Sequence, residues 1–501
     1  MIRKSEYQEN LGRSLDLYTG RSLGGGSRIN QMFYTRGLPA EYDAWAAAGR
    51  KGWSWEEFRP YFLKSEDAVG YGPIEGVHAT AGEWKNRPLD RLYFRCFEQT
   101  LRGVEKLGLP YIPDINSPTH PPFGCGRVFF TIDKNSHRSS TFHAFLPASL
   151  ALKRKSNLHI CTDTLVERLV LESLPDGTSV VRGVQMISGG GRKTVKVEQE
   201  VIMSAGPLAN PQILMLSGIG PAEHLKDHDI KIMQDLPAVG SNLQDHLGVS
   251  IAWNIPMSDS LVSLQAKPWL FFIALFQYLI WGTGLLLVPV SQLFLFLHTK
   301  ILDESGTPVK ASKAFSEPIP DVEIMPMAYD SSDQPFPKTK GVYSLLNCLL
   351  RPKSHGTVRL TSSDPNAPLS IDLRYLSDPK DITPLRASLK FSLRLRDKMR
   401  EQGYKLVDWQ VPASESDEDL DRFIQHSNRN RTTYHYSSTC RMAPEHDPMG
   451  GGVVDDELKV YGVTNLRVAD SSIFPWIPAT HLQAPTVAVA EKCADMLRMK
   501  A

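Results

Sequence analysis

The sequence predicts a mixed fold, α/β plus α+β, in which a nucleotide-type unit is joined to an antiparallel sheet. Three observations predict it. Short strands alternate with helices along much of the chain, and Asp321 to Leu373 alternates apolar with polar residues between Pro and Gly breaks. The length, 501 residues, also exceeds what one compact core organises, so one large composite domain or two are expected. Apolar residues at 42% and charged residues at 22% exclude general disorder, collagen and coiled coil. Lys and Arg number 56 against 55 Asp and Glu, and a net charge of +1 gives no reason to expect a nucleic acid or an anionic membrane as partner. Six cysteines without a CxxC pair indicate neither a disulfide framework nor a zinc site, and no metal is expected.

Taken in order, Met1 to Arg13 is charged and polar, without the apolar run of a signal peptide. This points to a cytoplasmic protein, or to a chain whose true start is not shown. Gly20 to Asn30 (GRSLGGGSRIN) follows, with three consecutive glycines that let backbone approach a ligand closely. It is not a GxGxxG fingerprint, and no strand precedes it. Asn157 to Val170 and Glu198 to Ser204 read as strands, with a turn at Ser188 to Arg192 between them. The second strand ends in the small residues Ser204-Ala205-Gly206, and a helix begins near Pro211, an edge where nucleotide folds admit ligands.

Trp269 to Leu297 is apolar and long enough to suggest a membrane span, but Gln277, Gly282-Thr283-Gly284, Pro289 and Ser291-Gln292 interrupt it. A buried helix, a turn and the wall of an apolar pocket are expected there instead, and no span. Pro384 to Arg400 is basic and periodic, as a surface helix would be. Near the C-terminus Leu466 to Ser471 reads as a strand ending at an acid, Asp470. His435 and His481 lie on either side of it without metal-ligand spacing. Histidine is the side chain suited to moving a proton near neutral pH, although a lone histidine is more often structural.

Together these segments resemble the glucose–methanol–choline (GMC) family of flavin-dependent alcohol oxidoreductases. Gly20 to Asn30 with Arg36-Gly37 and Tyr42-Asp43 is similar to one signature, and Gly206 to Gly220 to another, with Asn210 where Ser or Thr is usual. Val239 to His246, Arg351 to Val358, Tyr375 to Asp378, the His435 segment and Asp470 to Glu491 also look like family blocks, in family order from about residue 20 to 498. The likeness is strongest to fungal-type members, some of which act on aryl alcohols or secondary metabolites.

The resemblance implies an FAD-binding domain from 1–246 and 431–501, and a substrate domain of antiparallel sheet from 247–430. It implies FAD, held non-covalently because Ile29 stands where some relatives carry a flavin-bonded histidine. Trp281, Phe294 and Phe296 of the apolar run, as lining of a pocket, suit a bulky or aromatic alcohol as substrate, and the resemblance implies oxygen or a quinone taking the electrons. His435 falls at the catalytic histidine and His481 at the position of a second His or Asn. Gly24, Gly25, Asn30, Met32 and Phe33 fall along the cofactor, the last three beside the isoalloxazine. Val166 falls near the adenine, and Ala469, Asp470 and Gln483 where the chain closes over the cofactor. The family's first strand, GxGxxG turn and helix have no counterpart here, so the nucleotide domain is expected to be incomplete at its N-terminus. A truncated, non-catalytic homologue that binds a small molecule or a partner is the alternative.

Overall fold

The computed structural model describes residues 1–70, 72–287, 289–309, 318–336 and 338–499. Its largest unit is an eight-stranded, mostly antiparallel sheet. The strand order is Val407–Gln410, Leu247–Ile255, Gly341–Leu349, Val322–Met327, Leu293–Leu297, Gly124–Arg127 and Tyr111–Ile112, with Asn430–Thr432 also paired to Leu247–Ile255. The alternation in Asp321 to Leu373 suggests one wet face, yet Leu293–Leu297, Val322–Met327 and Gly341–Leu349 are buried along their whole lengths. Both faces are covered, so Glu323, Ser344 and Asn347 are interior polar residues that need partners.

One covering element is the Ile382–Glu401 helix. It buries Leu385, Leu389, Phe391, Leu395 and Met399, and its Ser392 hydroxyl donates to Asn347 Oδ1 at 2.8 Å. The expected surface helix is therefore half core: only its outer side, where Arg386 pairs with Asp421, faces water.

The nucleotide-type side is smaller. Val201–Met203 and Leu466–Val468 form a parallel pair, with Val201 opposite Leu466. Beside it Gly191–Lys196, Ser179–Ser188 and Thr164–Ser173 make an antiparallel meander, and the Asn210–Leu216 helix packs on its last strand. The expected strand from Asn157 starts only at Thr164, because Asp163 takes a left-handed turn (φ 50°) just before it.

The long apolar run divides into two opposite environments. Leu293–Leu297 is a central strand of the large sheet, wholly buried. The Pro268–Trp281 helix is not the buried helix expected. Trp269 is 58% exposed, Phe272 66%, Leu279 68% and Trp281 63%, and Ala274 alone is buried. Apolar composition predicted burial, but this helix packs chiefly on the short Val262–Ala266 helix before it and the Leu285–Leu287 turn after it. Among the described residues no helix is long and apolar enough to cross a membrane.

Candidate active site

The site lies where the large sheet meets the segments around His435 and His481. His435 follows the Asn430–Thr432 strand, after a left-handed turn at Tyr434 (φ 63°). The buried Asp245 carboxylate fixes that turn, accepting the His435 backbone N–H at 2.7 Å together with the hydroxyls of Thr432 and Tyr375. Burial pushes Asp245 up to about 6, against the pull of those donors.

The His435 ring has a defined tautomer. Thr433 Oγ1 donates its one hydrogen to the His246 carbonyl at 2.9 Å, so it can only accept from His435 Nδ1, which lies 3.2 Å away. His246 Nδ1, 3.0 Å from the same nitrogen, then serves as a second acceptor. Nδ1 of His435 therefore carries the proton and Nε2 the lone pair. Burial, then the neighbouring charges of His481 and His246, hold His435 well below the usual histidine range. The same burial, with His481 second, holds His246 down to about 3. Both rings are neutral at pH 7.

His481 sits two residues before the Gln483–Arg498 helix. Its backbone N–H donates to Thr35 Oγ1 at 3.2 Å. Its ring stacks on Phe294 (centroids 4.7 Å apart, 14° between planes) and meets the Phe33 edge at 5.1 Å. It stands at right angles to the His435 ring at 4.8 Å. Nε2 lies 3.1 Å from the Glu323 carboxylate. Strand alternation explains the grouping: Phe296 lies opposite Glu323 in register, so Phe294, Phe296 and Glu323 share one face of the sheet.

A polar chain runs along the next wall. Arg138 donates to Asn30 Oδ1 at 2.9 Å, Asn30 Nδ2 donates to Gln483 Oε1 at 2.7 Å, and Gln483 Nε2 donates to the Phe33 carbonyl. Met32, in the left-handed region at φ 65°, donates its N–H to Asn30 Oδ1 at 3.0 Å. Gly24 has φ 90°, and a Cβ there would lie 2.9 Å from the Phe142 Cβ, so only glycine fits. A Cβ on Gly25 or Gly26 would meet nothing within 4 Å, which leaves that face of the loop open to a ligand.

At the far end Asp470 ties the two parallel strands to the following helix. Its Oδ2 accepts from Gly206 N and Asn210 Nδ2, both at 2.7 Å, and its Oδ1 accepts from Ser472 N at 2.9 Å. Asn210, the departure from the family pattern, also donates from Nδ2 to Ser472 Oγ at 3.0 Å, a second bond that a hydroxyl with its single hydrogen could not add. Ala469 N donates to the Met203 carbonyl at 2.8 Å. Val166 lies apart from these groups, half-buried on the Thr164–Ser173 strand opposite Met186.

His435, His481, Phe33 and Gln483 thus come together, with Asn30 and Met32 alongside. His246, Glu323, Arg138, Thr433 and Asp245 are site residues that reading the sequence missed. Glu323 had a signal of its own, one acid inside the apolar strand Val322–Met327. Trp281, expected to line the pocket, lies instead on the exposed helix. Among the described residues no group of three or more His, Cys, Asp or Glu side chains is placed to hold a metal ion.

Comparison with known proteins gives consistent matches. Two models described as GMC oxidoreductase match residues 10–248 and 352–490. An oxygen-dependent choline dehydrogenase of Paraburkholderia xenovorans is 31% identical over 497 residues, covering 97% of this chain and 81% of the relative. The solved structure of pyridoxine 4-oxidase from Mesorbium loti superposes with a TM-score of 0.82 at 27% identity, covering 99% of this chain and 88% of that one. A fungal aryl-alcohol oxidase gives 0.82 at 24% identity over 100% and 89%, a likeness of fold alone.

Proposed function

The chain belongs to the GMC oxidoreductase family, and on that premise we propose that it oxidises a bulky or aromatic alcohol to the carbonyl, with His435 as base and FAD as cofactor. The observation that carries this reading is the pair of contacts at His435 Nδ1. Thr433 and His246 occupy Nδ1, so Nε2 is the nitrogen that offers a lone pair to a substrate hydroxyl. Because burial keeps the ring neutral, the base is ready without prior deprotonation. His481, at right angles to it, holds the substrate oxygen as negative charge develops. Phe33, Phe294 and Phe296 give the pocket apolar walls that suit an aromatic or bulky group better than a sugar.

The residues present fit the ring end of the cofactor. The Arg138–Asn30–Gln483 chain, the Met32 turn and the open faces of Gly25 and Gly26 supply polar edges and room beside the histidines. Gly24 shapes that loop, Ala469 and Asp470 close the far end, and Val166 would meet the adenine. When bound, FAD supplies the hydride acceptor. Ile29 offers no atom for a covalent link, so the flavin is held non-covalently, and oxygen or a quinone removes the electrons. The division into an FAD domain (1–246 and 431–501) and a substrate domain (247–430) belongs to the same proposal.

Purified protein, reconstituted with FAD if needed, should show a flavin spectrum that an aromatic alcohol bleaches without oxygen. His435→Ala should slow that bleaching by about 10²–10⁴-fold. Undiminished bleaching would remove His435 as base. A chain that takes up no flavin would favour a non-catalytic binding protein.

A further inference from the structure

The Pro268–Trp281 helix turns an apolar face outward that neither the fold nor the proposed reaction uses. At about 100° per residue, Trp269, Phe272, Ile273, Phe276, Leu279 and Ile280 fall within about 120° of its circumference, and all six are exposed. Phe271 and Trp281 are exposed as well. Together these side chains leave about 900 Å² open to water, taking about 200 Å² for a whole side chain of their size. The largest apolar patch on a typical monomer is about 300–600 Å² and is often functional.

What polarity the helix has lies on its inner side. Gln277 and Tyr278 are half-buried there with the buried Ala274, where the helix rests on Val262–Ala266 and Leu285–Leu287. Among its exposed side chains from Pro268 to Trp281, the only hydrogen-bonding groups are the indole N–H groups of Trp269 and Trp281, one near each end. No Asp, Glu, Lys or Arg stands between Lys267 and Lys300.

We propose that this helix docks the protein onto a lipid bilayer, lying along one leaflet without crossing it. Lipid tails offer no hydrogen bonds, and this face asks for none. A protein interface, in contrast, ordinarily has a polar rim and about one hydrogen bond per 100–200 Å². Length points the same way. Fourteen residues reach about 21 Å, short of a hydrocarbon core about 30 Å thick. An apolar stretch so short is either a core helix or an interfacial one, and its exposure excludes the core. Trp at both ends and Lys267 just before the helix are residue types that settle at the level of the head groups. A free interfacial helix needs a charged side towards water; here the body of the protein covers that side. With no charge on the face, insertion of apolar side chains holds the protein to the bilayer, and anionic lipid is not required. The inference is independent of the reaction.

The test is co-flotation of the intact chain with phosphatidylcholine vesicles in a density gradient. Wild-type protein should float with the vesicles, at low salt and in about 0.5 M NaCl alike. Phe272→Asp combined with Phe276→Asp, both at exposed positions, should lower the vesicle-bound fraction about tenfold or more and leave the urea midpoint in place. Brominated phosphatidylcholine should quench the tryptophan fluorescence of the wild type, and Trp269→Phe with Trp281→Phe should remove most of that quenching. This second comparison stands even if the aspartate variant fails to fold. Wild-type protein that stays clear of the vesicles overturns the proposal, as does release by salt or quenching that persists without the two indoles. A wild type that ignores vesicles but sediments as a dimer, dissociated by the aspartate pair, would give the face to a second copy of the chain and overturn the proposal too.

Discussion

The two ends of the candidate site are held by different means. At the ring end, His246, His435, His481, Phe294 and Glu323 come from five separate stretches of chain and are fixed by ring stacking and buried hydrogen bonds. At the nucleotide end, Val201–Met203 pairs with Leu466–Val468, Ser204 and Ala205 are exposed, and one carboxylate, Asp470, sets the turn. On the proposed reading, that packing keeps His435 in place as base while a proton and a hydride leave the substrate. The nucleotide end presents backbone and short polar side chains, and such a turn can adjust locally.

Substitutions should expose this contrast. The largest structural effect is expected from Phe294→Ala, which empties the wall between the sheet and His481 and should cost about 3–5 kcal/mol in urea unfolding. A loss below about 1 kcal/mol would mean the ring end is not held by packing. Asp470→Ala strands the Gly206 N–H and the Asn210 amide, and should cost about 1–3 kcal/mol. A loss from Asp470→Ala as large as that from Phe294→Ala would erase the difference between the two ends.

The smallest effect is a pH dependence confined to the ring end. His246, held at about 3, and His435, also held low, bind fewer protons folded than unfolded, where histidine titrates near 6.5. Their contribution is complete above about 6.5 and is lost as the pH falls towards 3. Asp245, raised to about 6, acts in the opposite sense: between about 4 and 6 the folded state holds the extra proton. With two histidines against one carboxyl, stability should fall from pH 7 to pH 5. In His246→Gln that slope should be shallower, as read from urea midpoints at each pH. An identical slope in the variant would mean that the histidine cluster does not set acid stability.

Much of this was legible in the sequence. The glycine loop, the strand ending in small residues, Asp470 and the two histidines all carry local signatures, because turns, strand ends and family blocks are written in neighbouring residues. The Asp321 to Leu373 sheet was legible too, through its alternation and its Pro and Gly breaks. Glu323 was not, since a single acid in a strand gains its meaning from a histidine 158 positions away. His246 lay in a recognised block, but nothing local showed its ring against that of His435. The apolar run from Trp269 misled outright. Its composition is the same in kind on both sides of the Gly282–Gly284 turn, yet one side is exposed helix and the other is central strand.

The sequence by itself determined the family, the mixed fold and which residue types could carry proton and cofactor chemistry, because these depend on local conformation and on the order of motifs. Only the tertiary structure decided which imidazole meets a hydroxyl, which meets a carboxylate and which apolar stretch is covered. Those outcomes depend on sheet register and on packing between segments far apart in the chain, and no window of the sequence contains both partners.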